Sequence, residues 1–357
     1  MTDRRLVRFV ELAGWSAALA SIASAIALPE LARTPAIQWS PWLLGLFVLG
    51  IPHGAFDHRV GLELKTLQRD RQLLESVGSS PLASKAGPGF YAAYLAAAMA
   101  VLALWFASPI AASSSFLLMA AAHFGQGDVY WSRRFGLAGR AGSVGYRGSL
   151  IVVRSLVPIA LPLLAFPREF AGAADELAAR LFGRGSWSIP PSSVAVGLGV
   201  VGGMVGVQII WAAVLAWRGD GETRRSARVD IAETLLLVAL FATVPPVLAL
   251  GVYFNAWHSL RHVARLLMIA SSTRDLVGSG QLLPAFVEFQ KRALPMSLGA
   301  LAMMIALALV VGRSLVSVVD LGLVALVALS ALTLPHVLVV AWMDARQGVW
   351  SARPDQG

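Results

Sequence analysis

Long apolar runs dominate this chain of 357 residues. Each run is close to the roughly 20 residues that a helix needs to cross the core of a bilayer. The runs lie at 9–28, 41–58, 89–108, 109–131, 148–166, 190–217, 230–246, 247–271, 294–312 and 317–344. They are continuous and do not alternate, and in lipid only helices and closed barrels satisfy the backbone. The pattern therefore predicts an all-α, polytopic integral membrane helix bundle of about 8–10 transmembrane helices.

The composition supports a single transmembrane domain over residues 1–357. Hydrophobic residues make up 57% of the chain and charged residues only 14%, too few charges to cover a soluble surface of this size. Pro245 and Pro246 interrupt the apolar stretch 230–271. Because proline breaks helices, this stretch forms either two short spans or one kinked pair, and an eight-span arrangement stays open.

The net charge of +9 could suggest a nucleic-acid partner, but its distribution argues against one. Basic residues concentrate before the first predicted span and after every second one, which is the positive-inside pattern. The arginines in these clusters include Arg4, Arg5, Arg8, Arg59, Arg133, Arg134, Arg154, Arg218, Arg224, Arg225, Arg228, Arg261 and Arg265. The pattern predicts a multi-pass protein of the cell (inner) membrane with both termini in the cytoplasm, and no nucleic-acid binding.

All histidines of the chain lie within apolar runs or close to their ends. They are His53, His58, His123, His258, His262 and His336. An ionisable side chain at membrane depth is costly and usually functional, and imidazole is well suited to iron, copper and zinc. In the topology above, all of them fall in the cytoplasmic half of the membrane. Because the chain has no cysteine, thiolate ligands and iron–sulfur clusters are excluded.

Helical spacing separates candidate metal ligands from other histidines. His258 and His262 are four residues apart, so they share one helix face and can bind one metal. Asn255 extends that face. His53 and His58 are five residues apart, about 140° around a helix, which favours a packing role for His58.

Three further residues could support the candidate ligands. Asp57 follows His53 by four residues and is placed to accept a hydrogen bond from its second ring nitrogen. Asp128 follows His123 by five residues, a less favourable spacing. His336 follows Pro335 and could either pack or support the metal.

Aromatic residues accompany these histidines in the sequence. Trp131, Tyr253 and Trp257 either line an apolar channel or form an interfacial belt, which is the more common role of such residues.

Four ordered motifs resemble one known family. "GIPHGAFDH" at 50–58, "AAHFGQGD" at 121–128, "WHSLRH" at 257–262 and "LPHVLVVAWMD" at 334–344 are similar to segments of the Brp/Blh family of β-carotene 15,15′-dioxygenases. The resemblance covers residues from about 40 to 346. It implies a membrane non-haem iron oxygenase that cleaves the central 15,15′ double bond of β-carotene with O2 to give two retinals.

The resemblance also implies a ligand set and partners. Fe(2+) would be held by His53, His123, His258 and His262. Four imidazoles would leave two positions of an octahedral iron open. β-Carotene would enter from the lipid bilayer, and a rhodopsin is a candidate recipient of the retinal.

Other classes of membrane protein remain as alternatives. A desaturase or hydroxylase of the di-iron type would carry adjacent His–His pairs, and this sequence contains no such pair. A b-type haem protein would use axial histidines on facing helices. A non-enzymatic transporter would have polar residues in both halves of the membrane.

Overall fold

The computed structural model describes residues 4–64, 87–135, 143–172, 175, 190–311 and 318–347. Within these ranges the secondary structure is helical and contains no strand. The helices are α1 Arg4–Ala27, α2 Pro29–Ala32, α3 Pro35–Gly45, the π-helix π1 Leu46–Gly50, α4 Ile51–Ala55, α5 Pro88–Ala107, α6 Pro109–Arg134, α7 Val144–Ala165, α8 Pro191–Arg218, α9 Gly221–Thr243, α10 Pro246–Val252, the π-helix π2 Tyr253–Ser259, α11 Leu260–Ile269, α12 Ser271–Gly278, α13 Leu282–Val311 and α14 Val318–Arg346.

Six helices in the described ranges are long and apolar enough to cross a membrane. They are Arg4–Ala27, Pro88–Ala107, Val144–Ala165, Pro191–Arg218, Leu282–Val310 and Val324–Arg346. These helices confirm six of the predicted spans, and the fold is an all-α polytopic membrane helix bundle. Their outward side chains are apolar: Phe106 of α5 and Leu309 of α13, for example, are 70% and 77% exposed.

The other four predicted spans are also helical. Run 109–131 lies in α6, whose serines, His123 and Gln126 make it more polar than the six spans above. Run 230–246 lies in α9, which ends at Thr243, and α10 begins at Pro246. Runs 41–58 and 247–271 are each interrupted by a π-helix. The number of membrane crossings within these four runs stays a prediction.

Contacts between Cα atoms divide the chain into two compact units. The first unit comprises Met1–Leu6, Val48–Phe116 and His262–Gly357. In it, α5 packs against α14, and α13 packs against α4, α12 and α14. Trp105 of α5 donates a hydrogen bond from Nε1 to the hydroxyl of Ser330 on α14, at 2.6 Å. That contact places a satisfied polar pair inside an otherwise apolar helix interface.

The second unit comprises Val7–Phe47 and Leu117–Arg261. Helices α7, α8 and α9 pack against one another in it, and α10 packs against α3. A buried cluster lies where α7, α8 and α9 meet, and it consists of Tyr146, Ala212 and Ala227. The small residues at 212 and 227 allow close helix approach, as is usual inside membranes. The prediction of one transmembrane domain stays a prediction.

Candidate metal centre

Two π-helical segments lie beside the predicted ligands. π1 ends at Gly50, three residues before His53, and π2 contains His258. A π-segment accommodates an extra residue and thereby turns the residues that follow it around the helix axis. Such segments are frequent at functional sites. Helix-period arguments alone could not place either histidine, because they assume an uninterrupted α-helix.

The first unit brings three buried histidines together. The ring centroids of His53 and His336 are 4.8 Å apart, those of His262 and His336 5.3 Å, and those of His53 and His262 5.6 Å, all in edge-to-face arrangements. Each side chain is at most 7% exposed. An imidazole nitrogen about 2.1 Å from a metal puts the ring centroid roughly 3.2 Å from the metal. Two such rings with an angle of about 90–110° at the metal therefore have centroids about 4.6–5.3 Å apart. The two separations from His336 fall within this range, and the 5.6 Å between His53 and His262 lies slightly above it. The donor set therefore fits a metal ion with a wider angle between His53 and His262.

A buried carboxylate holds one of these rings. Nδ1 of His336 lies 3.1 Å and 3.0 Å from the two carboxylate oxygens of Asp57. The hydroxyl of Tyr94 donates a hydrogen bond to Oδ2 of the same carboxylate at 3.2 Å. Asp57 was expected to support His53, and that pairing stays a prediction. The contacts above pair Asp57 with His336, a partner that the four-residue spacing from His53 could not indicate.

The second unit brings His123 and His258 together. Their ring centroids are 4.8 Å apart, and both side chains are 5% exposed. Phe124 lies against His258 at 4.7 Å between ring centroids, and Tyr253 lies 5.2 Å from Phe124. Gly127 lies beside this imidazole, and a Cβ there would meet Cε1 of His258 at an ordinary contact distance of 3.6 Å. The two imidazoles thus share an aromatic environment from which water is largely excluded.

A buried ionic network surrounds Asp128 in the same unit. Asp128 accepts a hydrogen bond from Nε1 of Trp257 at 2.7 Å and binds Arg261 and Arg154, the latter at 3.0 Å. Arg261 also reaches Glu11 at 2.7 Å and Glu233 at 2.5 Å. Asp128 was predicted to support His123. That pairing stays a prediction; the contacts of Asp128 also connect it to Trp257, the residue next to His258.

Buried ion pairs in both units correct the interpretation of several arginines as markers of cytoplasmic loops. Arg154 and Arg261 are 1% and 4% exposed and belong to helices. Arg133 binds Asp230 at 2.5 Å, and Arg265 binds Asp344 at 2.6 Å. Their positive charges neutralise buried carboxylates, as charges inside membranes usually require. They therefore carry no information on topology. Exposed arginines such as Arg4, Arg5, Arg8, Arg134 and Arg218 remain as support for the positive-inside pattern.

Asn255 and His58 have specific local partners. Nδ2 of Asn255 donates to the carbonyl oxygens of Pro41 and Gly251, both at 3.0 Å. It ties π2 to α3 where Gly45 allows the two to approach closely. Nδ1 of His58 lies 2.9 Å from the carbonyl oxygen of Ala55, and its ring is half-buried near Tyr91. These contacts agree with a packing role for His58.

The tryptophans expected in an interfacial belt are buried. Trp131 is 1% exposed and donates a hydrogen bond to Glu11 at 2.8 Å. Trp257 is 2% exposed and donates one to Asp128. Both indoles thus complete the ionic network, and the belt interpretation is wrong for them.

Sequence reasoning missed several residues of these networks. Glu11, Glu233 and Tyr94 received no role because they lie far in sequence from the histidines they accompany. One signal was present: Arg154 lies inside the apolar run 148–166. An arginine at such a position needs a buried anionic partner.

Comparison with known proteins identifies the family. The sequence model of the family described as Beta-carotene 15,15'-dioxygenase matches residues 44–344. The chain is 33% identical to the probable beta-carotene 15,15'-dioxygenase Blh of Halobacterium salinarum, over 97% of this chain and 95% of that protein. It is 28% identical to the probable beta-carotene 15,15'-dioxygenase Brp of the same species, over 88% of this chain and 86% of that protein. No solved structure matches it significantly. The family match extends over all four motifs, and the chain therefore belongs to the beta-carotene 15,15'-dioxygenase family, a family of oxygenase-type enzymes.

Proposed function

We propose that this protein is a membrane non-haem iron dioxygenase that cleaves the 15,15′ double bond of β-carotene with O2, giving two retinals. The observation that carries the proposal is the set of buried histidines in a membrane chain of this family. Burying imidazoles at membrane depth costs free energy, so such histidines usually mark a functional site.

The proposed iron ligands are His53, His123, His258 and His262. Each is 5–7% exposed, and each lies within about one turn of another histidine or in ring contact with one. Support for one shared iron comes from the sequence, because His262 follows His258 by four residues. His258 lies in π2 and His262 in the next helix, α11. Neutral imidazoles suit Fe(2+). When bound, the iron supplies the activation of O2 that amino-acid side chains alone cannot provide.

The protein's own residues supply orientation and exclusion of water. β-Carotene is a hydrocarbon and offers no polar group to hold, so apolar shape must position its central bond. Phe124 and Phe254 lie against His258, and Tyr253 packs on Phe124. Their rings restrict the imidazole and keep water away from it. Oxidative cleavage of a double bond by O2 needs no general acid or base, in keeping with carboxylates that are engaged with Arg261, Arg154 and His336.

The membrane setting defines the partners of the reaction. A multi-pass bundle can take β-carotene directly from the bilayer. We place it in the cell membrane with both termini in the cytoplasm, because exposed cations lie at helix ends on the predicted cytoplasmic side. They are Arg4, Arg5, Arg8 and Arg218. Retinal released in the same bilayer could be taken up by a rhodopsin.

Expression in cells that accumulate β-carotene tests the proposal. Extracted pigments should contain retinal and less β-carotene than in cells without the protein. His258→Ala should give none, and His58→Ala, as a matched control, should give wild-type amounts. Unchanged β-carotene with folded, iron-loaded protein contradicts the substrate assignment. Apocarotenals of unequal length would show that a double bond other than the central one is cleaved. Hydroxylated carotenoids would favour the hydroxylase alternative.

A further inference from the structure

We infer that His336 is itself a ligand of the metal and that Asp57 is its positioning residue. This inference rests on the proposed iron enzyme and adds to the four histidines assigned above. It depends on four features of the first unit: the hydrogen bond to Asp57, the support from Tyr94, the burial of both groups and the placement of the ring.

The hydrogen bond fixes which ring nitrogen faces a metal. Both oxygens of Asp57 lie within 3.1 Å of Nδ1 of His336. An ionised carboxylate accepts but does not donate hydrogen bonds, so an ionised Asp57 requires the proton of the neutral ring on Nδ1. The lone pair of a neutral imidazole is then on Nε2. A carboxylate on one ring nitrogen and a metal on the other is the usual arrangement of metal-bound histidines.

Burial makes a purely structural role costly. The side chains of Asp57 and His336 are 0% and 6% exposed. An apolar pair of similar volume in their place would avoid the desolvation of the carboxylate. A metal cation bound through the ring offsets that cost, because its positive charge stabilises the carboxylate behind the imidazole. Tyr94 adds a further hydrogen bond to the same carboxylate at 3.2 Å.

The position of the ring agrees with coordination. His336 is edge-to-face with His53 at 4.8 Å and with His262 at 5.3 Å. These two are the proposed ligands that belong to the first unit. Both separations match those of imidazoles bound to one metal. His58, by contrast, has Nδ1 on a backbone carbonyl and a half-buried ring.

Metal binding by the purified full-length protein in detergent tests the inference without measuring turnover. The metal-free protein is titrated with Fe(2+), and separately with Co(2+), whose visible spectrum reports the ligand set. His336→Ala should weaken metal binding at least tenfold and alter the Co(2+) spectrum. Asp57→Asn should weaken it on the order of 10–100-fold, as is typical when the partner of a metal-bound histidine is changed. His58→Ala should match the wild type in both measurements.

Rescue separates a ligand from a structural residue. Free imidazole should restore the Co(2+) spectrum of His336→Gly, since it can occupy the vacated position. A wild-type affinity and spectrum in His336→Ala would overturn the inference. If neither His336 variant folds, a wild-type affinity and spectrum in Asp57→Asn would overturn it. A wild-type protein that binds no iron would instead contradict the proposed function, so the two failures are distinguishable.

Discussion

The guanidinium of Arg261 lies 4.2 Å above the indole ring of Trp257, and both side chains bind the carboxylate of Asp128. The stacked pair flanks His258 in the sequence. Because Asp128 also binds Arg154, one carboxylate connects α6 and α7 to the helical segment that carries His258. The network therefore holds a candidate ligand in place from outside the site.

Removing Asp128 should destabilise the protein. Asp128→Ala leaves Arg154 and Arg261 without their shared carboxylate, and breaking a buried ion pair in this way costs about 3–5 kcal/mol. Thermal unfolding in detergent should show a large drop in Tm. Glu222→Gln, at an exposed position of α9, is the control and should leave Tm nearly unchanged. An unchanged Tm in Asp128→Ala would contradict the structural role of the network.

The hydroxyl of Tyr146 should contribute measurably to stability. It donates to Asp230 at 2.8 Å, alongside Arg133. Tyr146→Phe removes one hydrogen bond to a charged group, worth about 1.5–3 kcal/mol. Chemical denaturation in detergent measures the change. Tyr91→Phe is the matched control because Tyr91 is 42% exposed; equal losses in the two variants would show that the buried contact is unimportant.

Two glycines of α6 should respond differently to the same substitution. A Cβ at Gly125 would overlap Ser155 and lie 2.5 Å from the carbonyl oxygen of Ile151. Gly125→Ala must therefore push α7 away, with a cost of about 1–3 kcal/mol. A Cβ at Gly127 would meet only His258 at an ordinary contact distance, so Gly127→Ala should unfold close to the wild-type temperature. The reverse order of Tm values would be inconsistent with this packing.

Iron content should distinguish ligands from the bystander. Alanine at His53, His123, His258 or His262 should remove most of the bound iron, because each takes away a donor that no neighbouring cysteine can replace. His58→Ala should keep its iron. Metal analysis of the purified variants measures this. Loss of iron in His58→Ala together with retention in His53→Ala would show that the ligand near the start of the motif at 50–58 is misassigned.

Hydropathy predicted most of the helices because burial in lipid requires long apolar runs. It placed α5, α7 and α8 within a few residues of their observed ends. The motifs also placed the candidate ligands on helices. These features depend on residues that are close in sequence, where periodicity and composition carry the information.

Pairing between distant segments was not predictable in the same way. The contact between Asp57 and His336 joins residues 279 positions apart, and the contact between Glu11 and Arg261 joins residues 250 apart. Charge counting treated Arg261 as a loop cation, because a basic residue near a span end looks the same whether it faces water or a buried carboxylate. The π-segments at 46–50 and 253–259 were also missed, since a regular period of 3.6 residues gives no sign of them.

Retinal formation by iron-depleted and iron-restored protein tests the central claim most directly. Purified protein stripped with a chelator is given β-carotene and O2 with increasing Fe(2+), and retinal is quantified by chromatography. The account predicts no retinal without iron, activity that saturates at about one iron per chain, and two retinals for each β-carotene consumed. Retinal formation that is unaffected by complete iron removal, or restored folded protein that leaves β-carotene intact, would contradict it.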